Sequence, residues 1–359
     1  MKKFDLYIIK KFLGSFLLII IMLIILLIIF DFSERVDDFM EKNPPLNEII
    51  FVYYLNFIPY FVNQFSALLA FIAVIFFTSK MASHTEFIAM LSSGVSFRRL
   101  LFPYIVSSFL IALFSFYLSN IVIPPANKNR LEFTYKYLKN TSHLKDKDIH
   151  LQVSPGVFAY CEWFNDLTNV GSLFTLEKIE NEKLVSKITA NLIKWDSIKK
   201  KWTLENYWMR TINGTSEKIT RGPKLDTALS ILPNDFYRTV DEVETMNFFQ
   251  LNKFIAKEKL KGSNNIDFYL LEKHKRIAYP FATIILALIG VSISSRKVRG
   301  GIGLHLGIGI ALSFTYIMFW QIITTISTYG GILPVAFAVW VPNIIFSIIA
   351  LYLLKIAPK

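Results

Sequence analysis

The strongest constraint on this chain is the spacing of its uncharged apolar runs. Residues 12–30, 57–78, 100–123 and 277–295 each supply close to the ~20 residues that a helix needs to cross ~30 Å of hydrocarbon. Residues 300–354 then contain no Asp, Glu, Lys or Arg, a stretch too long for one crossing. Tyr329-Gly330-Gly331 and Pro334 near its middle supply turn chemistry, so the stretch is expected to be a hairpin of two helices. That makes six spans, three on each side of a long polar block. With 53% hydrophobic and 18% charged residues among 359, and a mean hydropathy of +0.43, the composition excludes a single water-soluble domain.

Lys2, Lys3, Lys10 and Lys11 precede the first run, as they would in a signal peptide. The run is longer than the ~7–15 residues of a typical signal core and has no small-x-small site before Asp31, so an uncleaved first span is the better reading.

The formal charge of +12 arises from 39 Lys and Arg against 27 Asp and Glu. Residues 124–276 hold 25 of the basic and 19 of the acidic residues, so no single basic patch exists for nucleic acid. The remaining basic residues sit in short clusters beside apolar runs: the leading lysines, Lys80, Arg98, Arg99, Arg296, Lys297, Arg299, Lys355 and Lys359. By the positive-inside rule both termini and these connections are cytoplasmic. The 31–56 connection carries six acids against Arg35 and Lys42 and faces out. The 124–276 block is then also outside, since long domains translocate largely regardless of their charge.

Within that block, IHLQV, GVFAYCEW, GSLFTLEKI, KLVSKITANLIKWD and KWTLENYWMRTI are rich in β-formers and are broken by Ser154-Pro155-Gly156, Asn165-Asp166, Glu180-Asn181 and Lys199-Lys200-Lys201. Strands at this spacing favour an antiparallel sandwich or jelly roll over alternating α/β units. Phe248, Phe249, Leu251, Phe254, Ile255 and Leu260 then recur at helical spacing up to Gly262, which predicts a short amphipathic helix leading to the fourth span. The expected organisation is a membrane half at 1–123, an extracytoplasmic all-β domain with connecting helices at 124–276, and a second membrane half at 277–359.

Catalytic chemistry is poorly provided for. Gly300-Gly301-Ile302-Gly303 lacks the Lys-Ser/Thr of a phosphate loop, and no Gly-x-Ser-x-Gly elbow occurs. The five histidines show no ligand spacing, and Cys161 alone cannot build a disulfide or a cysteine-rich metal site. His305 is the one ionisable side chain inside the predicted spans, which disfavours ion-coupled transport. Neither a catalytic residue nor a bound metal is therefore expected. Between the second and third spans, Ser83-His84-Thr85-Glu86 has capping-box spacing and Gly94 ends the run, predicting a cytoplasmic helix of about ten residues. Phe87, Ile88, Met90 and Leu91 would form its apolar face. Two roles are open to it: an interfacial helix packed on the bilayer or its own bundle, and a coupling helix docked on a cytoplasmic ATPase. The acids and cations from Asp31 to Lys42 likewise suit either a solvated collar or contacts to lipid headgroups, with Arg35 and Lys42 as phosphate partners.

The three-plus-three spans, the intervening β domain and four segments together resemble the YjgP/YjgQ permease family, the LptF and LptG subunits of the lipopolysaccharide exporter. Those segments are FDLYIIKKFLGSF, SHTEFIAMLSSGVSFRRLLFP, YLLEKHKRIAYPFATIILALIGVSIS with Arg276 and Pro280, and ILPVAFAVWVPNIIFSIIALYLL with Pro334 and Trp340-Val341-Pro342-Asn343. The resemblance covers essentially the whole chain. It implies a non-catalytic, multi-pass permease subunit of an ABC transporter in the bacterial inner membrane, paired with a paralogous LptF/LptG subunit. A separate LptB-like ATPase dimer would use ATP and Mg, with no cofactor bound by this chain. Lipopolysaccharide would leave the outer leaflet through a lateral cavity and pass along periplasmic jellyrolls to LptC and an LptA-type bridge.

By the same resemblance the 83–94 helix is the coupling helix, with Ser83, Glu86, Phe87, Met90 and Leu91 as its working residues and Glu86 matching the acid that meets the ATPase. Apolar side chains of the first and fifth spans, Phe16, Ile20, Leu23, Phe314, Tyr316 and Phe319, are candidate cavity lining beside Arg35 and Lys42. The chain departs from some LptG proteins in carrying Asp31, Asp37 and Asp38 where they have lysines. Its short amino terminus and Val341-Pro342-Asn343 lean toward LptG over LptF. The rival from another class is a membrane-anchored periplasmic binding or scaffold protein without transport activity, which has no need of the capped helix. A membrane enzyme is a poorer fit, because adjacent Asp37 and Asp38 would point to different sides of a helix.

Overall fold

A computed structural model describes residues 3–138, 147–165, 168–214, 216–233, 236, 243–260, 265–296 and 301–357. Lys2, Asp166, Gly262, Lys297, Arg299, Gly300 and Lys359, singled out above, lie outside them. Among the described residues six helices are long and apolar enough to cross a membrane.

The first is unbroken, α1 (Lys3–Lys42), and its 40 residues extend for about 60 Å, twice the hydrocarbon thickness. A π-helical segment, Glu48–Tyr54, leads into α2 (Leu55–Ser83), and the short α3 (Glu86–Ser92) connects to α4 (Phe97–Tyr117). The third crossing continues beyond residue 123, through a π turn at Leu118–Val122, α5 (Ile123–Phe133) and a last π turn to Leu138. Pro124 and Pro125 fit there because the first turn of a helix needs no backbone N–H partner.

Six strands follow: β1 (Lys147–Ser154), β2 (Val157–Asn165), β3 (Val170–Glu180), β4 (Lys183–Asp196), β5 (Lys201–Asn213) and β6 (Ser216–Thr227). After α6 (Phe248–Leu260) come α7 (Ile266–Ser294) and α8 (Gly301–Gly330), then the one-turn α9 (Val335–Ala338) and α10 (Val341–Ile356), which complete the sixth crossing. The predicted hairpin turn is present, with Gly331 at φ +61° and Pro334 as the extended residue before α9.

The chain divides into two compact units: residues 1–138, 244–248 and 270–359, and residues 139–243 and 249–269. In the membrane unit α2 is the centre. Ala70, Ala73, Val74 and Phe77 pack with Phe12, Phe16, Ile20, Tyr104 and Val291, while Ala67, Phe71 and Ile75 pack with Ala282, Leu286, Ile289, Tyr316 and Phe346. The central windows of the second and fourth spans are 56% and 61% buried, against 17% for the first and 22% for the fifth, so the last two form the rim of this subunit. Close approach is made by small residues. A Cβ on Gly309 would stand 2.2 Å from Ile75 Cδ1, which only a glycine avoids without displacing that side chain. Several polar side chains inside the bundle pair across spans: Thr78 with Tyr104 at 2.9 Å, Ser79 with His305 at 2.8 Å, and Asn63 with both Ser115 and Ser119.

In the other unit all six strands lie in one antiparallel sheet in sequence order, a meander. The breaks at Ser154-Pro155-Gly156, Glu180-Asn181 and Lys199-Lys200 fall at the junctions between strands as predicted, Asp166 of the remaining predicted break lies outside the described residues, and β6 goes beyond the five expected runs. Its core contains Cys161, Phe164, Phe174, Ile193, Leu204 and Trp202, whose indole donates to the Ile231 carbonyl at 2.8 Å. Leu251, Phe254 and Ile255 of α6 are buried as expected, but Phe249 and Leu260 fall off that stripe and are exposed. Cys161 is fully buried, and burial pushes its thiol up to about 11. Since the thiolate is the reactive form, iodoacetamide at pH 8 should leave the native chain unlabelled and modify Cys161 readily once the sheet is unfolded. Equal labelling rates in the two states would contradict this core placement.

Candidate functional site

The connection between the second and third crossings is built by two abrupt turns. The α2 helix keeps its hydrogen bonding through His84, whose N–H reaches the Lys80 carbonyl at 3.1 Å. Ser83 therefore sits in the last turn of α2, and its hydroxyl donates to the Lys80 carbonyl at 2.8 Å. The expected capping box does not form. Position Ncap of α3 is instead Thr85, in the left-handed region at φ +60° and without a side-chain cap, so α3 has seven residues rather than about ten. Its end is as expected: Gly94 at φ +85° donates to Leu91 at 3.0 Å and Val95 to Met90 at 3.4 Å, the paired bonds of a Schellman motif. Ser96 then caps α4 by accepting the Arg99 N–H.

The faces of α3 are divided. Phe87 is fully buried edge-on to Phe97, and Met90 and Leu91 are half-buried against the same core, so these three fasten the helix to its own bundle. Ile88 and Ala89 face outward, and Glu86 is half-exposed with its carboxylate accepting the Tyr7 hydroxyl at 3.3 Å.

Beside this helix lies a pair that sequence reasoning missed. Asp5, wholly buried, receives both guanidinium nitrogens of Arg99 at 2.7 Å each, a bidentate ion pair spanning 94 positions. The one signal available was a lone acid among the leading lysines; no local spacing relates it to Arg99.

At the other end of α1, Asp31 accepts Arg35 Nε at 3.0 Å and the Tyr53 hydroxyl at 3.1 Å. Arg35 also lies over the Tyr53 ring, 5.8 Å from its centroid. Arg35 is thus held within its own subunit while about a third of its side chain stays exposed. Lys42, two turns further along, is half-buried.

The six apolar candidates separate into two groups. Phe16 and Ile20 are buried, and Leu23 is half-buried, against the core that α1 shares with α2. Tyr316 is 3% exposed and Phe319 packs on the same cluster. Phe314 alone faces outward, at 58%. A span that is apolar all round gives no sequence sign of which face is packed.

The motif residues of the last spans are structural ties. Asn343 donates to the Ala278 carbonyl at 2.8 Å and accepts the Tyr316 hydroxyl at 2.9 Å, which joins the fourth, fifth and sixth crossings. Arg276 is buried between Glu272, at 2.9 Å, and the Met246 carbonyl, at 2.6 Å. Replacing Asn343 by Ala should cost about 1–2 kcal/mol and lower the thermal midpoint in detergent, with Tyr316→Phe costing less. An unchanged midpoint for Asn343→Ala would remove this tie from the account.

No curated protein sequence matches the chain. The family model for the lipopolysaccharide export system permease LptF/LptG matches residues 6–356, nearly the whole length. With its six apolar helices the chain is a multi-pass inner-membrane protein, and it belongs to the LptF/LptG family of lipopolysaccharide export permeases.

Proposed function

We propose that the chain is one of two related six-span subunits of an ATP-driven exporter, and that α3 is where it meets the ATPase. The observation that carries this is the divided α3 helix: Phe87, Met90 and Leu91 fix it to the bundle, and Glu86, Ile88 and Ala89 are left on the outside. A helix only two turns long, bonded to the spans on both sides, moves with them, which is what a mechanical contact requires. The chain supplies no catalytic group in this reading. ATP and Mg are used by the separate LptB-like dimer, and both termini and α3 are cytoplasmic, consistent with the basic clusters at that end.

On the opposite side, lipopolysaccharide enters from the outer leaflet of the inner membrane into a space completed by the paralogous subunit. The exposed rim of the first and fifth spans, with Phe314 outward, provides an apolar wall for acyl chains, and the exposed part of Arg35 and Lys42 suits headgroup phosphates. The six-stranded sheet is periplasmic and passes the lipid to LptC and the LptA-type bridge.

Truncating one partner of a buried, hydrogen-bonded charge pair at an interface costs ~2 kcal/mol or more. Glu86→Ala should therefore weaken recovery of the ATPase with the tagged subunit by at least about tenfold while leaving membrane insertion intact. Undiminished recovery would refute α3 as the docking element, and recovery of periplasmic proteins alone from the wild type would favour a membrane-anchored scaffold.

A further inference from the structure

We propose that Asp5 and Arg99 are positioning residues that transmit displacement of α3 into the first span, with the Tyr7–Glu86 hydrogen bond as a second contact of the same joint. The inference rests on the reading of α3 as the ATPase contact and goes beyond it by naming the route through the subunit.

Three observations converge. First, the cytoplasmic ends of four elements form one packed block: Ile8 and Phe12 of α1, Met81 and Ala82 of α2, Phe87 of α3, and Phe97 and Leu100 of α4 share a single buried core. Second, the only ion pair among the described residues to join α1 to the α3–α4 connection is bidentate and built on a fully buried carboxylate. A guanidinium fork on a fully buried carboxylate, 2.7 Å at both nitrogens, fixes angle as well as distance. An apolar pair would hold the same elements together without the desolvation that a buried carboxylate costs, so what the ion pair adds is orientation. Arg99 stands in the first turn of α4, immediately after the α3 turn, and lies over Phe102, 5.4 Å from the ring centroid. Third, α1 is built to carry the movement. It is continuous from Lys3 to Lys42, its central window is the least buried of the six, and its far end is bonded through Asp31 to Tyr53 in the segment leading into α2. A continuous helix, fastened near its ends and packed on α2 along one face through Phe12, Phe16 and Ile20, moves as a unit when one end is displaced.

Spatial intermediacy does not establish coupling, so the test must measure it. The full exporter, reconstituted in vesicles containing lipopolysaccharide, is assayed for ATP hydrolysis and for lipid released per ATP. Asp5→Asn should hydrolyse ATP within about twofold of the wild type and release about tenfold less lipid per ATP. Asp5→Glu, which restores the carboxylate, should recover most of the loss, and Tyr7→Phe should show a smaller deficit. Unchanged lipid per ATP in Asp5→Asn would overturn the joint, as would hydrolysis and release falling in proportion. Should Asp5→Asn fail to accumulate, Arg99→Lys keeps the charge, loses the fork and is judged by the same ratio. Failure of the wild-type subunit to bring down an ATPase would instead overturn the docking reading, and is scored separately.

Discussion

A lipid interior offers no partner to a peptide N–H or carbonyl, and the organisation of this protein follows from that. Each crossing must be helical and apolar outside, so polar side chains within the bundle either turn back to a carbonyl of their own helix, as Ser107 and Ser294 do, or meet another span. Asn63 with Ser115 and Ser119, Thr78 with Tyr104, and Asn343 between Tyr316 and the Ala278 carbonyl are examples. Such bonds contribute modestly in membranes, about 0.6–2 kcal/mol each, but they set which helix lies beside which. The second span is central because it carries the small residues Ala67, Ala70 and Ala73 that let neighbours approach on two sides.

Ionic groups obey the same constraint from the other direction. They collect at the helix ends, and two of the buried ones in the membrane unit are closely matched. Asp5 has both oxygens on Arg99, and Arg276 is divided between Glu272 and a backbone carbonyl. The two ends of α1 are held differently. Asp5 forms a closed fork with Arg99, whereas Asp31 at the other end shares one oxygen between Arg35 and Tyr53 and leaves the cation partly in contact with its surroundings.

The number of crossings, the β character of the insertion and the turns at Pro155-Gly156 and Gly331 were legible because each depends on local pattern: run length, alternation, or a residue with a distinctive backbone. The Schellman end at Gly94 was legible for the same reason. What depends on three-dimensional pairing was not. Ser83-x-x-Glu86 has the spacing of a capping box, but α2 retains its hydrogen bonds one residue past Ser83, so that hydroxyl is used on the preceding helix. Which of the cavity candidates Phe16, Ile20 and Tyr316 pack inside the subunit was not readable, because both faces of their spans are apolar. Asp5 and Arg99 are 94 positions apart, and only the fold relates them.

The uneven burial of the spans also bears on biogenesis. The first span is the most apolar of the six and the least enclosed by its own subunit, so it partitions into lipid without help. The second and fourth are less apolar, and more than half enclosed, and they depend on neighbours to satisfy their polar side chains. The fourth is synthesised only after the whole β insertion. Until it arrives, Ala67, Phe71 and Ile75 of the second span lack the fourth-span partners they hold in the finished core. Maturation of this subunit therefore has a waiting stage, in which a three-helix half stands in the bilayer with one face unfilled.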